Sequence, residues 1–210
     1  MKELYEKFKN FKENYIFVQN EVYSDDDGNL LVNGEIIKPK DKKYGNESEH
    51  YIDVAFNSSK PLSKLLSNLY PYNFKVNNLS FGSIEGFFQG IKFKDITLQN
   101  EVFKMSGLEA CAIKGASDQN WQDSGVVYFQ GMPIKRDSDI YENLVDLIYV
   151  CALTNPFYRQ ALKNCKKTIL HLMGKDNSNE TVFTRYEFEK QLNCLKDFVN
   201  FISTEKIEFD

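Results

Sequence analysis

SIEGFFQGIKF, residues 83–93, sets three polar side chains into an otherwise apolar segment. At 3.6 residues per turn, Glu85, Gln89 and Lys92 fall within about 60° of arc. Phe88 flanks this stripe on one side and Phe93 on the other, while Ile84, Phe87 and Ile91 continue the apolar surface. Gly86 and Gly90, four residues apart, share a side and let another backbone approach. A helix apolar nearly all round is expected to be buried. Its polar stripe then faces either internal partners or a wet cleft, because an unpaired buried charge is costly. Ser83 suits the N-cap. Side chains on a helix lean toward its N-terminus, so Lys92 is expected to reach back to Gln89. Read without function, Glu85 is a first-turn acid and Lys92 a snorkelling surface lysine. Read functionally, the stripe is a cleft wall.

Working outward, residues 2–15 read as an amphipathic helix with Leu4, Phe8, Phe11 and Tyr15 near helical spacing. EVYSDDDGNLLVNGEIIK, residues 21–38, carries DG and NG steps between apolar residues and predicts hairpins. Asp25-Asp26-Asp27-Gly28 lacks the alternating ligands and distal Glu of an EF-hand, so it reads as a turn. Residues 51–56 and 74–76 have strand character, with a turn at Asn77-Asn78. One helix is expected over about 98–114, and VVYFQGMPIKR holds a short strand and a Gly turn.

The next segment, SDIYENLVDLIYVCALTN, predicts a strong helix starting at Ser138 or Asp139. Ile140, Leu144, Leu147, Ile148 and Cys151 form its apolar face. Asn155-Pro156 breaks it and starts another. TILHLM reads as an extended segment. Thr184 and Glu187 make a capping-box pattern at the head of the last long helix. The sum is an α+β chain, mainly helical with a few short strands.

The 210 residues suit one domain with an extension, taken as residues 1–50 before a domain at 51–203 and a tail at 204–210. With 42% hydrophobic and 27% charged residues the chain can bury a core. A net charge of −4 lacks the basic footprint of a general nucleic-acid binder. No apolar run approaches the roughly 20 residues of a membrane span, and the N-terminus has no apolar signal core. A cytoplasmic protein with no membrane partner is the expectation. Cys111, Cys151, Cys165 and Cys194 form no CxxC pair and are expected to be buried reduced thiols. With two histidines, His50 and His171, no metal site is expected.

Four segments in order resemble the NADAR family, also called YbiA-like. They are LSNLYPYNF (66–74), SIEGFFQGIKF (83–93), FKMSGLEACAIKG (103–115) and NPFYRQAL (155–162). YFQGMPIKRDSDIYENL and HLMGKDNSNETVFTRYEF look like a branch seen in bacteria and phages. The resemblance covers roughly residues 51–200. It implies a NADAR-like α+β fold and an N-glycosidase that cleaves a ribose C–N bond in an ADP-ribosylated or phosphoribosylated substrate. ADP-ribosylated nucleic acid is one form of that substrate, and no cofactor is implied. A non-catalytic module that recognises ADP-ribose or a nucleotide is the alternative reading, and a phage–host interaction through residues 1–50 is a third. Oligomeric state is left open.

Carried over by motif, the Glu, Gln and Lys of the family helix are Glu85, Gln89 and Lys92, and the SN segment supplies Asn68. The sequence departs from the family pattern at Gly86-Phe87-Phe88 and at residues 171–184, where many relatives carry a Trp-Gly-Asp-Gly-like segment. An N-glycosidase builds oxocarbenium-like charge on the sugar, which a carboxylate stabilises while activating water. Glu85 is assigned that role. A desolvated Lys92 suits the alternative, attack on C1′ through a Schiff base. Gln89 is expected to orient ribose hydroxyls, and Tyr70 or Phe88 to stack on a base. Lys114, Arg136, Arg159 and Lys175 are the candidate phosphate cations, Arg136 first. His171 and Asp176 bracket a turn at Gly174 as a further polar pair, and Trp121 is either a lid or a core plug.

Overall fold

The computed structural model describes residues 1–15, 22–24, 29–32, 35–38, 45–113 and 121–204. The expected DG and NG turns, the Asp25–Gly28 turn and Lys114 lie outside them. The chain opens with α1 (Lys2–Glu13). Then β1 (Val22–Ser24), β2 (Leu30–Val32) and β3 (Glu35–Ile37) pair antiparallel in that order, as hairpins require. After β4 (Tyr51–Asp53) and α2 (Pro61–Leu65), the hairpin β5 (Phe74–Val76) and β6 (Leu79–Phe81) turns through Asn77 at φ 51°.

The middle of the chain carries α3 (Ile84–Gly90), α4 (Ile96–Phe103), α5 (Gly107–Ala112) and α6 (Trp121–Ser124). Next come β7 (Val126–Phe129) and β8 (Met132–Lys135), a hairpin whose two-residue loop has Gln130 at φ 50° and Gly131 at φ 80°. Positive φ at both loop residues matches the strand twist of a type I′ turn. The chain ends with α7 (Asp139–Ala152), α8 (Pro156–Asn164), β9 (Thr168–Leu170) and α9 (Arg185–Thr204). The result is the expected α+β architecture, mainly helical with short strands.

Two expectations need correction. The single helix over 98–114 is broken in two. Ser106 starts α5 afresh: its hydroxyl accepts from Glu109 N–H while the Glu109 carboxylate accepts from Ser106 N–H, a complete capping box. Gly107 lies so near the chain at Leu69 that an added Cβ would come within 2.3 Å of the Leu69 Cα. On α7, Ile140 is 66% exposed, and the buried face runs through Tyr141, Leu144, Val145 and Ile148. Ser138 caps the helix and Ile140 sits in the first turn, where the stripe has rotated away from the core.

α3 lies at the centre of the core, as its apolar circumference demands. Phe87 is fully buried, and Phe81 packs 4.7 Å from Phe103. A Cβ on Gly86 would sit 3.0 Å from the Phe103 carbonyl oxygen, and one on Gly90 2.4 Å from the Phe103 ring. The two glycines therefore let α4 close onto α3. α1 joins the same core through Phe8, whose ring meets Phe198 of α9 edge-on at 5.2 Å. The Lys12 ammonium donates to both oxygens of buried Asp146 on α7, at 2.7 and 2.8 Å.

β4 and β9 pair in parallel, Ile52 opposite Ile169. Two buried carboxylates brace the chain that leaves β9. Asp53 accepts from Leu172 N–H and Gly45 N–H, both at 2.7 Å, and Glu189 accepts from His171 N–H at 2.8 Å. Burial pushes Asp53 up to about 6 and Glu189 up to about 7, although the bonds they accept pull the other way. Among the described residues no helix is long and apolar enough to cross a membrane.

Candidate active site

Ser83 caps α3 as its sequence position predicts. Its hydroxyl accepts from Gly86 N–H at 2.9 Å and donates to the Met105 carbonyl at 3.1 Å. Glu85 N–H donates to the Asn68 carbonyl at 2.9 Å. The Asn68 side chain in turn accepts from the buried Tyr149 hydroxyl at 2.9 Å. Asn68 thereby ties the first turn of α3 to the SNLYP segment through its main chain and ties that segment to α7 through its side chain.

The stripe is a hydrogen-bonded chain. Lys92 Nζ donates to Gln89 Oε1 at 2.8 Å, and Gln89 Nε2 donates to Glu85 Oε1 at 2.6 Å. The Cys111 thiol, from α5, donates to the same Glu85 oxygen at 3.3 Å. Among the described residues no donor reaches Glu85 Oε2. Lys92 Nζ also lies 5.5 Å above the Trp121 ring, a cation–π contact on a buried indole. Trp121 is thus a core plug at the start of α6. Burial lowers the Lys92 pKa and nearby Lys175 lowers it further, while the Glu85 charge opposes both.

These residues form one wall of a cleft of about 250 Å³. Glu85, Phe88 and Gln89 on α3 and Lys92 in the turn just after it line the cleft with Asn68, His171, Gly174 and Lys175. His171 Nδ1 lies 3.0 Å from the Val54 carbonyl. A carbonyl only accepts, so Nδ1 carries the proton and Nε2 keeps its lone pair. Burial lowers the His171 pKa and favours this neutral form. A Cβ on Gly174 would come within 2.5 Å of the imidazole, so glycine is what lets this turn fold over the ring.

The structure thus brings Glu85, Lys92, Asn68, Gln89, Phe88 and His171 together. Other expected site residues lie elsewhere. Arg136 faces a second cavity, of about 360 Å³; its guanidinium pairs with Glu187 and lies 4.8 Å over the Tyr141 ring. It is committed inside the fold and away from Glu85. Asp176 is 69% exposed in its side chain and pairs with Arg185 at 2.7 Å, outside the cleft wall. Tyr70 packs on Tyr72 at 4.7 Å and also lies outside it. Phe88 does line the cleft, but its ring is stacked on Phe183 at 4.6 Å, so that face is taken. Arg159 donates to the Leu153 carbonyl, away from the cleft. Of the candidate cations among the described residues, Lys175 is the one at the cleft, its ammonium 3.5 Å from Glu180.

Cys111 was missed. It is exposed rather than buried, unlike Cys151, Cys165 and Cys194. Its partner Glu85 is 26 residues away, and no local pattern announces the contact. Phe183 and Thr181, also on the cleft wall, were missed as well. Among the described residues no group of three or more His, Cys, Asp or Glu is placed to hold a metal ion.

Comparison with known proteins gives similarities in structure and in sequence. The solved NMR structure of E. coli YbiA is similar at 14% identity and a TM-score of 0.44, over 79% of this chain and 92% of that one. The 17.1 kDa protein of the Gp30–rIII intergenic region of Enterobacteria phage T4 is 34% identical over 135 residues. That match covers 63% of this chain and 88% of the T4 protein. The family model described as bacteriophage protein GP30.3 matches residues 61–197, a span that holds α3, α5 and the His171–Lys175 turn. The chain belongs to the bacteriophage protein GP30.3 family.

Proposed function

We propose that this chain is an N-glycosidase that hydrolyses the bond between a ribose C1′ and a base or amine nitrogen in an ADP-ribosylated or phosphoribosylated substrate. The observation that carries this reading is the Glu85 carboxylate, held through Oε1 and open at Oε2, on a cleft wall it shares with Lys92. The motif resemblance to NADAR proteins supplies the reaction class. In the hydrolytic route the C1′–N bond breaks and its electron pair leaves with the nitrogen. Glu85 stabilises the cationic sugar and takes the proton of the water that bonds to C1′, and a proton returns from Glu85 through solvent to the departing nitrogen. Lys175, at the cleft, is the cation best placed for a substrate phosphate.

A second route is favoured by the buried Lys92, whose lowered pKa enlarges its neutral, nucleophilic fraction. Its amine would bond to C1′, expel the base and open the sugar as an iminium that water then hydrolyses.

The test is incubation with ADP-ribosylated DNA and with phosphoribosyl amines of the riboflavin series, with released base and sugar read by mass spectrometry. Glu85→Gln is expected to lose roughly 100-fold or more in rate, and exposed Glu101→Gln to match wild type. Borohydride trapping of an adduct, lost in Lys92→Ala, selects the second route. Binding of ADP-ribose with no turnover of any substrate would leave a recognition module instead.

A further inference from the structure

Glu85 presents its two carboxylate oxygens unequally. Oε1 accepts from Gln89 Nε2 at 2.6 Å and from the Cys111 thiol at 3.3 Å, and among the described residues Oε2 accepts nothing. We propose that Gln89 and Cys111 are positioning residues for Glu85, which together hold Oε1 so that the chemistry runs through Oε2 alone. The inference rests on Glu85 being the working carboxylate.

The orientation of the Gln89 amide is set from both sides. The Lys92 ammonium only donates, so it fixes the amide oxygen on its side, and the carboxylate only accepts, so it fixes the amide nitrogen on the other. Turning the amide over would set NH₂ against an ammonium and a carbonyl against a carboxylate. Each end of Gln89 therefore holds a partner that fixes the orientation of the amide, Lys92 at the oxygen and Glu85 at the nitrogen.

Cys111 is equally fixed. α5 begins at Gly107 pressed on the Leu69 main chain, next to the Asn68 carbonyl that binds Glu85 N–H. The same short segment thus locates the main chain of Glu85 and the helix that carries its thiol donor. The Cys111 sulfur is partly enclosed although the residue as a whole is exposed; that desolvation first, and then the Glu85 charge, pushes the thiol up to about 12, which keeps it a donor across the physiological range. A thiol is a weak donor, so its part is orientation more than binding strength.

Two experiments test the pair, and they fail independently of the functional reading. In the first, Cys111 is alkylated with iodoacetamide at about pH 8 and followed by peptide mass spectrometry. Wild type is expected to react slowly and Glu85→Gln about tenfold faster, since one pKa unit changes the thiolate fraction tenfold. Equal rates overturn the contact. In the second, turnover is measured on the substrate cleaved in the assay above. Gln89→Leu and Cys111→Ala are each expected to lower kcat by roughly 3–10-fold with KM within about twofold, the loss of one hydrogen bond, and Cys111→Ser to restore it. A Gln89→Leu variant that raises KM and spares kcat is a substrate binder, and a Cys111→Ser variant as poor as Cys111→Ala has lost packing; either result overturns the proposal. If Glu85→Gln keeps full turnover the functional reading falls, while the alkylation rates still decide whether Cys111 holds Glu85.

Discussion

Lys12→Met should cost this protein far more than an ordinary surface lysine substitution. Both oxygens of Asp146 accept from Lys12, at 2.7 and 2.8 Å, and the Asp146 side chain is only 7% exposed. Removing one partner of a buried pair leaves an uncompensated charge, at about 3–5 kcal/mol where burial is complete. The Lys12 side chain is 21% exposed, so some water reaches the carboxylate and the expected cost falls to about 2–3 kcal/mol. For a chain of this size that is a drop of roughly 4–12 °C in Tm. Urea and thermal unfolding followed by circular dichroism measure it. The double variant Lys12→Met, Asp146→Leu removes the stranded charge and should recover most of the loss. A single Lys12→Met variant within about 0.5 kcal/mol of wild type would refute the reasoning, because it would mean Asp146 finds solvent or another donor unaided. α1 lies outside the residues matched by the family model, so this pair also measures how firmly the added helix is tied to the shared fold.

Gly90→Ala gains helix propensity of about 1 kcal/mol but drives a Cβ within 2.4 Å of the Phe103 ring, which Phe81 and Phe129 hem in. A net loss of about 1–2 kcal/mol is expected in denaturant unfolding, and a stabilised variant would show that the ring yields freely. Asp53 and Glu189 set a pH dependence of stability. Their folded pKa values, about 6 and about 7, lie above the ordinary carboxylate range, so the folded state holds extra protons. Their contribution is complete below pH 4 and is lost as pH rises through those values, so unfolding midpoints should decline between about pH 4 and 7. Asp53→Asn with Glu189→Gln should flatten that decline; an unchanged slope assigns it to other groups.

How much of this was legible in the sequence depends on distance along the chain. The Lys92–Gln89–Glu85 chain follows from helical spacing, and so do the Ser83 cap and the Thr184–Glu187 box, where Thr184 N–H donates to the Glu187 carboxylate at 2.7 Å. Each is a contact within one turn. Arg136 was misread because its partner Glu187 is 51 residues away, and an unpaired-looking arginine before a helix resembles an anion site until that partner is seen. Cys111 fails for the same reason. Asp176 and Tyr70 were placed at the site because they adjoin residues that are there. Adjacency in sequence does not survive a turn such as 173–176, where Gly174 bends over the His171 ring and Asp176 points to Arg185. The split of α4 from α5 was visible in the Ser106–Glu109 pattern, but the continuous apolar run concealed it.

The parallel pairing of β4 with β9 has a consequence for how the protein is made. Leu172 N–H bonds to Asp53 across 119 residues of chain, and His171 N–H bonds to Glu189 further on still. A ribosome delivers Asn68 and Glu85 early, yet the cleft wall that faces them arrives with His171 and is braced only once α9 has emerged. Contacts so distant along the chain form late, after the local hairpins and helices. The stripe is therefore translated well before the wall opposite it, and the cleft is complete only once β9 and α9 are in place.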